Sequence, residues 1–281
     1  MTDPDLRPLP LPRPETFRYE ERDRVGVITL ARPDRFNALT FAVYRELADL
    51  FAVVDRRALD PSGQGARALV LQGEGKAFCS GGDVEDIIAR LLEQDTKDVL
   101  AFTRLTGELV ENIRRLDRPV VAALNGTTAG AGAVIALACD LRVMSEKARF
   151  HFLFTKVGLT GADMGAAWLL PRIVGLGRAS EWLLLGDGID APTALSAGLV
   201  TRVAAPERVL PEALALARRL ADGPALALGM TKRLLTNEQS MDFVSALESE
   251  AVAQALLLRA GDHRAFYEAW KAGQEPRFTG R

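Results

Sequence analysis

Apolar positions recur along the 281-residue chain with two periods, and each change of period marks a new element. The runs 17–21 and 25–30 are short and strand-like, and residues 22–24 between them predict the turn of an opening hairpin. ARPDRFNALT then reads as a turn stretch ending on Thr40, a residue suited to cap a helix. Behind it Phe41, Tyr44, Leu47, Ala48, Phe51 and Val54 repeat at steps of three and four, with Arg45, Glu46 and Asp49 elsewhere, which predicts an amphipathic helix. Residues 58–65 predict a loop and 68–71 a fully apolar strand. Helices are predicted over 84–92 and, from Val99, Phe102, Leu105, Leu109, Ile113 and Leu116, up to the stop at Arg118-Pro119.

The stretch 120–140 is an apolar run, a Gly-rich turn and an apolar helix, an order that leaves the first N–H groups of the helix aimed beyond the strand. Strands follow over 141–144 and 149–154, and helices over 165–173 and 179–185. Alternation of this kind predicts an α/β fold around a mostly parallel sheet with crossover helices. From Pro206 onward the pattern is helical only, over 210–220, 225–235 and 243–258. The expected organisation is a flexible Pro-rich arm over 1–16, an α/β core over 17–205 and a helical region over 206–281.

Composition narrows the function classes. With 48% hydrophobic residues the chain can bury one large core. A formal charge of −2 and a pI of about 5.9, with Lys and Arg scattered, point away from nucleic acid and membrane and toward a small-molecule partner. Two cysteines, Cys79 and Cys139, make no disulfide framework and fit a reducing, cytoplasmic setting. The start of the sequence has no apolar stretch of signal-peptide or membrane-span type, and two histidines with no cluster predict no metal site.

Two Gly-rich turns, 79–82 and 130–132, each follow a buried strand and lead into a helix. At the carboxyl ends of parallel strands their N–H groups could converge on one oxygen, the layout of an oxyanion hole. The simpler alternative is that the glycines serve tight turns and close packing. GTTAGAG lacks the Lys-Ser/Thr pair of a phosphate loop, and AFCSGGD lacks the spacing of a dinucleotide fingerprint.

KAFCSGGD, then RPVVAALNGTTAGAGAVIALACDLRV, then KARF, then LLPRIVGLGRASEWLLLGDGIDAPTALSAGLVTRV together resemble the crotonase (enoyl-CoA hydratase/isomerase) superfamily over nearly the whole chain. The resemblance implies a spiral of β-β-α units with a C-terminal α-helical trimerisation region. It also implies a homotrimer or a homohexamer built as a dimer of trimers, an acyl-CoA thioester as substrate, and no cofactor beyond the coenzyme A that the substrate carries. Carried over by motif, the oxyanion donors are the backbone N–H groups of Gly82 and Ala131. The adenine pocket is lined by the backbone of Ala77, Phe78, Cys79 and Ser80, and Arg32, Arg35 and Lys271 are candidates to meet the coenzyme A phosphates or adenine. Solvated surface charge is the plainer reading of those three cations.

The hydratases of the family use two glutamates, and the resemblance places Val134 and Phe154 at those positions, where neither side chain can move a proton. What remains is Asp163, in GLTGADMGAAWLLPRIVG. It falls where dienoyl-CoA isomerases and the 4-chlorobenzoyl-CoA dehalogenase carry an aspartate, although the isomerases' partner glutamate is replaced by Phe154 and the dehalogenase's tryptophan by Thr155. Beside Ala162, Met164 and Trp168 its carboxyl is expected to be desolvated and its pKa raised, unless it merely caps the helix starting near Gly165. His151 reads as a packed strand histidine, Cys79 lacks a nearby base, and Glu85 and Asp86 suit a helix N-terminus. The expectation is an enzyme of the hydratase or isomerase type with Asp163 as acid/base. The alternatives are a hydrolase or dehalogenase with Asp163 as nucleophile, and an acyl-CoA binding protein with little activity.

Overall fold

The computed structural model describes residues 13–57 and 65–280, so all but the last residue of the expected loop at 58–65 and most of the arm at 1–16 lie outside the described residues. The chain opens with β1 (Phe17–Arg22), β2 (Val25–Leu30), α1 (Phe41–Arg57), β3 (Ala68–Gly73) and β4 (Ala77–Cys79). A π-helical turn, Val84–Ala89, runs into the short α2 (Arg90–Leu92), and α3 (Thr96–Arg115) follows. Next come β5 (Val120–Leu124), β6 (Thr127–Ala129), α4 (Ala131–Ala138), β7 (Leu141–Ser145) and β8 (Arg149–His151). Then α5 (Ala166–Val174), α6 (Leu176–Leu185), β9 (Ile189–Asp190), α7 (Ala191–Ser196) and β10 (Arg202–Ala204) lead to α8 (Val209–Ala221), α9 (Ala225–Asn237), α10 (Phe243–Leu257) and α11 (Gly261–Ala272).

The opening hairpin, α1 and α3 stand where periodicity places them, and Thr40 Oγ1 accepts from the Val43 N–H at 3.3 Å. The strand expected over 149–154 is shorter. It ends at His151, the last residue that pairs with β6, and the chain then turns into a 3-10 segment, Leu153–Val157.

Alternation predicts one sheet; among the described residues there are two. One has the order β1-β2-β3-β5-β7-β10 and the other β4-β6-β8-β9. Successive strand pairs β3/β4, β5/β6 and β7/β8 each send the first strand to the large sheet and the second to the small one. This is the spiral of β-β-α units that the resemblance implies.

The large sheet is covered on both faces, which is why its central strands are apolar without alternation. Leu69, Leu71, Val120, Ala122 and Leu124 join the cluster formed with α1, α3 and α4. Their neighbours Ala68, Val70, Val121 and Ala123 face the other way, onto Val209, Ala213, Ala217 and Ala221 of α8. The helical layer beyond Pro206 therefore begins inside the core. Further along it, Lys232 of α9 is buried with its Nζ 2.8 Å from Asp140, and it also donates to the carbonyls of Ile113 and Arg118.

All eight residues of α4 are buried, so the carbonyls at its C-terminal end have no water to turn to. Buried Arg142 supplies the donors: its Nη1 reaches Cys139 O at 2.6 Å and Ala136 O at 3.2 Å, and its Nε reaches Leu199 O at 2.6 Å. Arg142→Met should lower the unfolding free energy by about 3 kcal/mol, measured by urea denaturation, because several buried acceptors lose a charged donor together. A loss under about 1 kcal/mol would mean that the carbonyls find other partners.

Candidate functional site

Strands β4 and β6 are adjacent and parallel, with Ala77 opposite Thr127 and Cys79 opposite Thr128, so the two Gly-rich turns leave the small sheet side by side. They are in contact. A Cβ on Gly81, whose φ is +101°, would stand 3.2 Å from Ala129 O and 3.5 Å from Ala131 N. Gly130 holds φ 52° and ψ −126°, a conformation open to glycine alone, and from there the chain enters α4. Gly132 then passes so close to the first turn that a Cβ on it would lie 2.6 Å from both Cβ and O of Cys79.

The segment 36–39 fixes which groups of the first turn are free. The Ser80 N–H donates to Phe36 O at 3.0 Å, the Leu39 N–H to Gly81 O at 2.8 Å and the Asp83 N–H to Leu39 O at 2.9 Å. In this parallel bridge between Leu39 and Gly82, the Gly82 N–H itself faces the opposite side. Ala131 is the first residue of α4 and has no intrahelical acceptor, while the Gly130 N–H before it is held by His151 O at 2.9 Å. Neither the Gly82 nor the Ala131 N–H meets an acceptor among the described residues. Buried Asn37 ties the arrangement down, donating to Ala77 O at 2.8 Å and Glu74 O at 2.9 Å and accepting from the Arg32 N–H at 3.0 Å. Reading FNAL as a turn overlooks this clamp; an Asn just after a Pro-Asp turn, a residue type that tolerates the left-handed conformation it takes here (φ 56°), is the signal the sequence holds.

Below the first turn, buried Asp83 caps the π-helical turn by accepting from the Glu85 and Asp86 N–H groups. Burial pushes its carboxyl up, but those two bonds and the Arg32 guanidinium 3.1 Å away outweigh it and hold the pKa below the usual value. Arg32 is thus occupied, and its Nη1 also donates to Ala38 O at 2.7 Å. Arg35 is exposed and paired only with exposed Glu85, at 3.2 Å. Lys271 lies on α11 with its Nζ 5.5 Å above the Tyr267 ring, and no described interaction joins it to the two arginines.

Asp163 is half-buried just before α5, and desolvation raises its pKa, with the Met164 N–H pulling weakly the other way. It does not cap the helix: α5 starts from Gly165 with no side-chain cap. Met164 beside it is buried at φ 50°, a left-handed conformation that a non-glycine residue adopts only under constraint. The Tyr44 hydroxyl lies 3.9 Å from the position of a Cβ on Gly82, and its pKa is raised chiefly by burial, with Cys79 and Asp163 pushing the same way through space.

The family model described as Enoyl-CoA hydratase/isomerase matches residues 20–281. The chain belongs to the enoyl-CoA hydratase/isomerase family. It is 34% identical to the 1,2-epoxyphenylacetyl-CoA isomerase of Escherichia coli (strain K12), over 92% of this chain and 95% of that one. A Streptomyces coelicolor A3(2) crystal structure assigned to the enoyl-CoA hydratases superposes with a TM-score of 0.93 at 50% identity, covering 97% of each chain. The enoyl-CoA hydratase structure from Bacillus anthracis gives 0.87 at 26% identity, over 95% of this chain and 100% of that one.

The two positions that the resemblance assigns to glutamates are both packed into the core. Val134, one turn along α4 from Ala131, is fully buried, and Phe154 is 7% exposed in the core. Cys79 is buried and its thiol is pushed up to about 12 by that burial, so it stays protonated and packs. His151 is kept neutral by desolvation and by Arg149 and Lys156, and its part in the site is its backbone carbonyl. Gly132→Ala should cost about 1–3 kcal/mol in thermal or urea unfolding, since Cys79 O is backbone and cannot step aside. In contrast Gly82→Ala, whose new Cβ meets nothing closer than 3.7 Å, should stay within about 1 kcal/mol of the parent.

Proposed function

We propose that this hydratase/isomerase-type enzyme binds an acyl-CoA thioester with its carbonyl oxygen on the Gly82 and Ala131 N–H groups, and moves a proton at the neighbouring carbon with Asp163. The observation that carries the reading is the pair of backbone donors left without acceptors on two turns packed against each other. Two such donors stabilise the enolate that forms when the carbon beside the thioester loses a proton, each by about 3 kcal/mol. Asp163, desolvated and not spent on a helix cap, can take that proton and return it elsewhere on the acyl chain, whereas Asp83 next to Gly82 is held by Arg32 and two N–H groups. Water addition by paired carboxylates has no counterpart at Val134 and Phe154, so the reading favours double-bond isomerisation over hydration.

For the nucleotide end, the backbone of Ala77, Phe78, Cys79 and Ser80 borders the first turn. Of the basic candidates Arg35 and Lys271 are the free ones, because exchanging an exposed carboxylate or ring for a phosphate costs little while Arg32 is held against buried Asp83. Exposed Phe243, Val244, Phe266 and Trp270 on α10 and α11 support assembly into a homotrimer or homohexamer.

Asp163→Asn should slow exchange of solvent deuterium into the substrate at least 100-fold while acyl-CoA affinity stays, measured by mass spectrometry and calorimetry. Unchanged exchange would remove Asp163 from the chemistry. A carboxyl whose pKa rises on folding costs stability as pH climbs through that pKa, so the same variant should unfold no earlier than the parent at neutral pH. As a base, Asp163 works only above its own pKa. The acid limb of the pH–rate profile should therefore lie above the value of about 3.9 for an exposed aspartate; a limb at or below it would contradict the assignment.

A further inference from the structure

Tyr44 is a buried polar group that the proton transfer does not use. It lies in the apolar stripe of α1, 3% exposed, with its ring edge-on to Phe102 at 5.4 Å and 85°. Its hydroxyl is aimed at the first oxyanion turn, 3.9 Å from the position of a Cβ on Gly82, and it donates to no acceptor among the described residues. The ring is buried but the oxygen at its tip is not fully enclosed, so water is the partner it has in the free protein. Asp163 and Cys79 act on it through space without bonding to it, and Ile87, Phe102 and Gly82 around it present no side-chain acceptor. The thioester oxygen is not available either, since its two lone pairs are taken by the Gly82 and Ala131 N–H groups.

We propose that the Tyr44 hydroxyl donates a hydrogen bond to an oxygen on the acyl group itself, so that the enzyme selects acyl-CoA thioesters bearing a hydroxyl, ether or carbonyl oxygen near the reacting carbon over all-hydrocarbon acyl groups. This rests on Gly82 and Ala131 holding the thioester. An all-hydrocarbon acyl group would exclude water from the hydroxyl and offer nothing in return, and a site built around a hydrogen bond rejects the analogue lacking it far more strongly than an apolar wall rejects a methylene. The Phe102 contact fixes the ring, so the hydroxyl is held for an incoming acceptor with little entropy left to lose.

The test uses two matched pairs of thioesters, phenoxyacetyl-CoA against 3-phenylpropanoyl-CoA and 3-hydroxybutanoyl-CoA against butanoyl-CoA. Calorimetric Kd values are measured for the full-length protein and for Tyr44→Phe. The parent should bind the oxygen-bearing member of at least one pair tenfold or more tighter. Tyr44→Phe, which keeps the ring and should keep the parent's Tm, should erase that ratio while leaving the hydrocarbon Kd unchanged. Binding of all four by the parent without preference, or the same preference in Tyr44→Phe, would overturn the role of Tyr44 and leave the thioester site standing. Failure of the parent to bind any of them would overturn the thioester site, and this inference with it.

Discussion

The backbone contact between Gly132 and Cys79 is the constraint on which the rest of the site depends. With no side chain on Gly132, the first turn of α4 can lie against the end of β4, and only at that separation can N–H groups from two different β-β-α units point into one space. The approach is possible because each turn carries a glycine at positive φ, Gly81 in one and Gly130 in the other, so that the chain reverses without lifting the two strands apart. Backbone donors set in this way are bound into two strands and a helix, and so they need no reorganisation when a charge develops in front of them.

Holding α4 in that position requires its other end to be fixed as well. A helix buried all round gains apolar contact but strands its terminal carbonyls, and the Arg142 guanidinium answers several of them at once. One residue past Cys139, Asp140 accepts from the Val120 N–H at 2.8 Å and meets buried Lys232 of α9, so the helical layer is locked to the same point. At the N-terminal end the equivalent restraint is the His151 carbonyl on the Gly130 N–H. The donor Ala131 is therefore positioned by groups from β8, β7 and α9, none of which need touch a ligand.

How much of this the sequence discloses follows from element length. α1 and α3 span several turns with an apolar stripe, and β2, β3 and β5 of the large sheet are five or six residues of nearly unbroken apolar sequence, so periodicity finds them. β4, β6 and β8 have three residues each, about the shortest run that alternation can register, so β8 is legible but reads too long, β4 and β6 are not legible, and the division into a second sheet does not show in the pattern. The Gly82 and Ala131 turns were legible as glycine-rich turns that could converge, and through linked motifs, but not the strands that bring them together, since β4 pairs with β6 outside the large sheet. Asp163 was legible as an acid among apolar residues. That it does not cap α5, and that Arg32 is tied to Asp83, depend on directions of side chains that no spacing encodes.

The electrostatic character of the site follows from what has been left unpaired. Nearly every other polar group near the two turns is satisfied: Asp83 by two N–H groups and Arg32, Asn37 by three backbone groups, Gly130 by His151. The exceptions among the described residues are the Gly82 and Ala131 N–H groups and the Tyr44 hydroxyl, which lies 3.9 Å from the position of a Cβ on Gly82. Each carries a cost to the folded protein when buried without a partner, and the left-handed Met164 beside Asp163 adds about 1–3 kcal/mol of backbone strain. Enclosed side-chain atoms without a partner also occur at Arg114, Asn125 and Glu238, but each stands alone, whereas two backbone N–H groups on adjoining turns are suited together to an oxygen that gains charge.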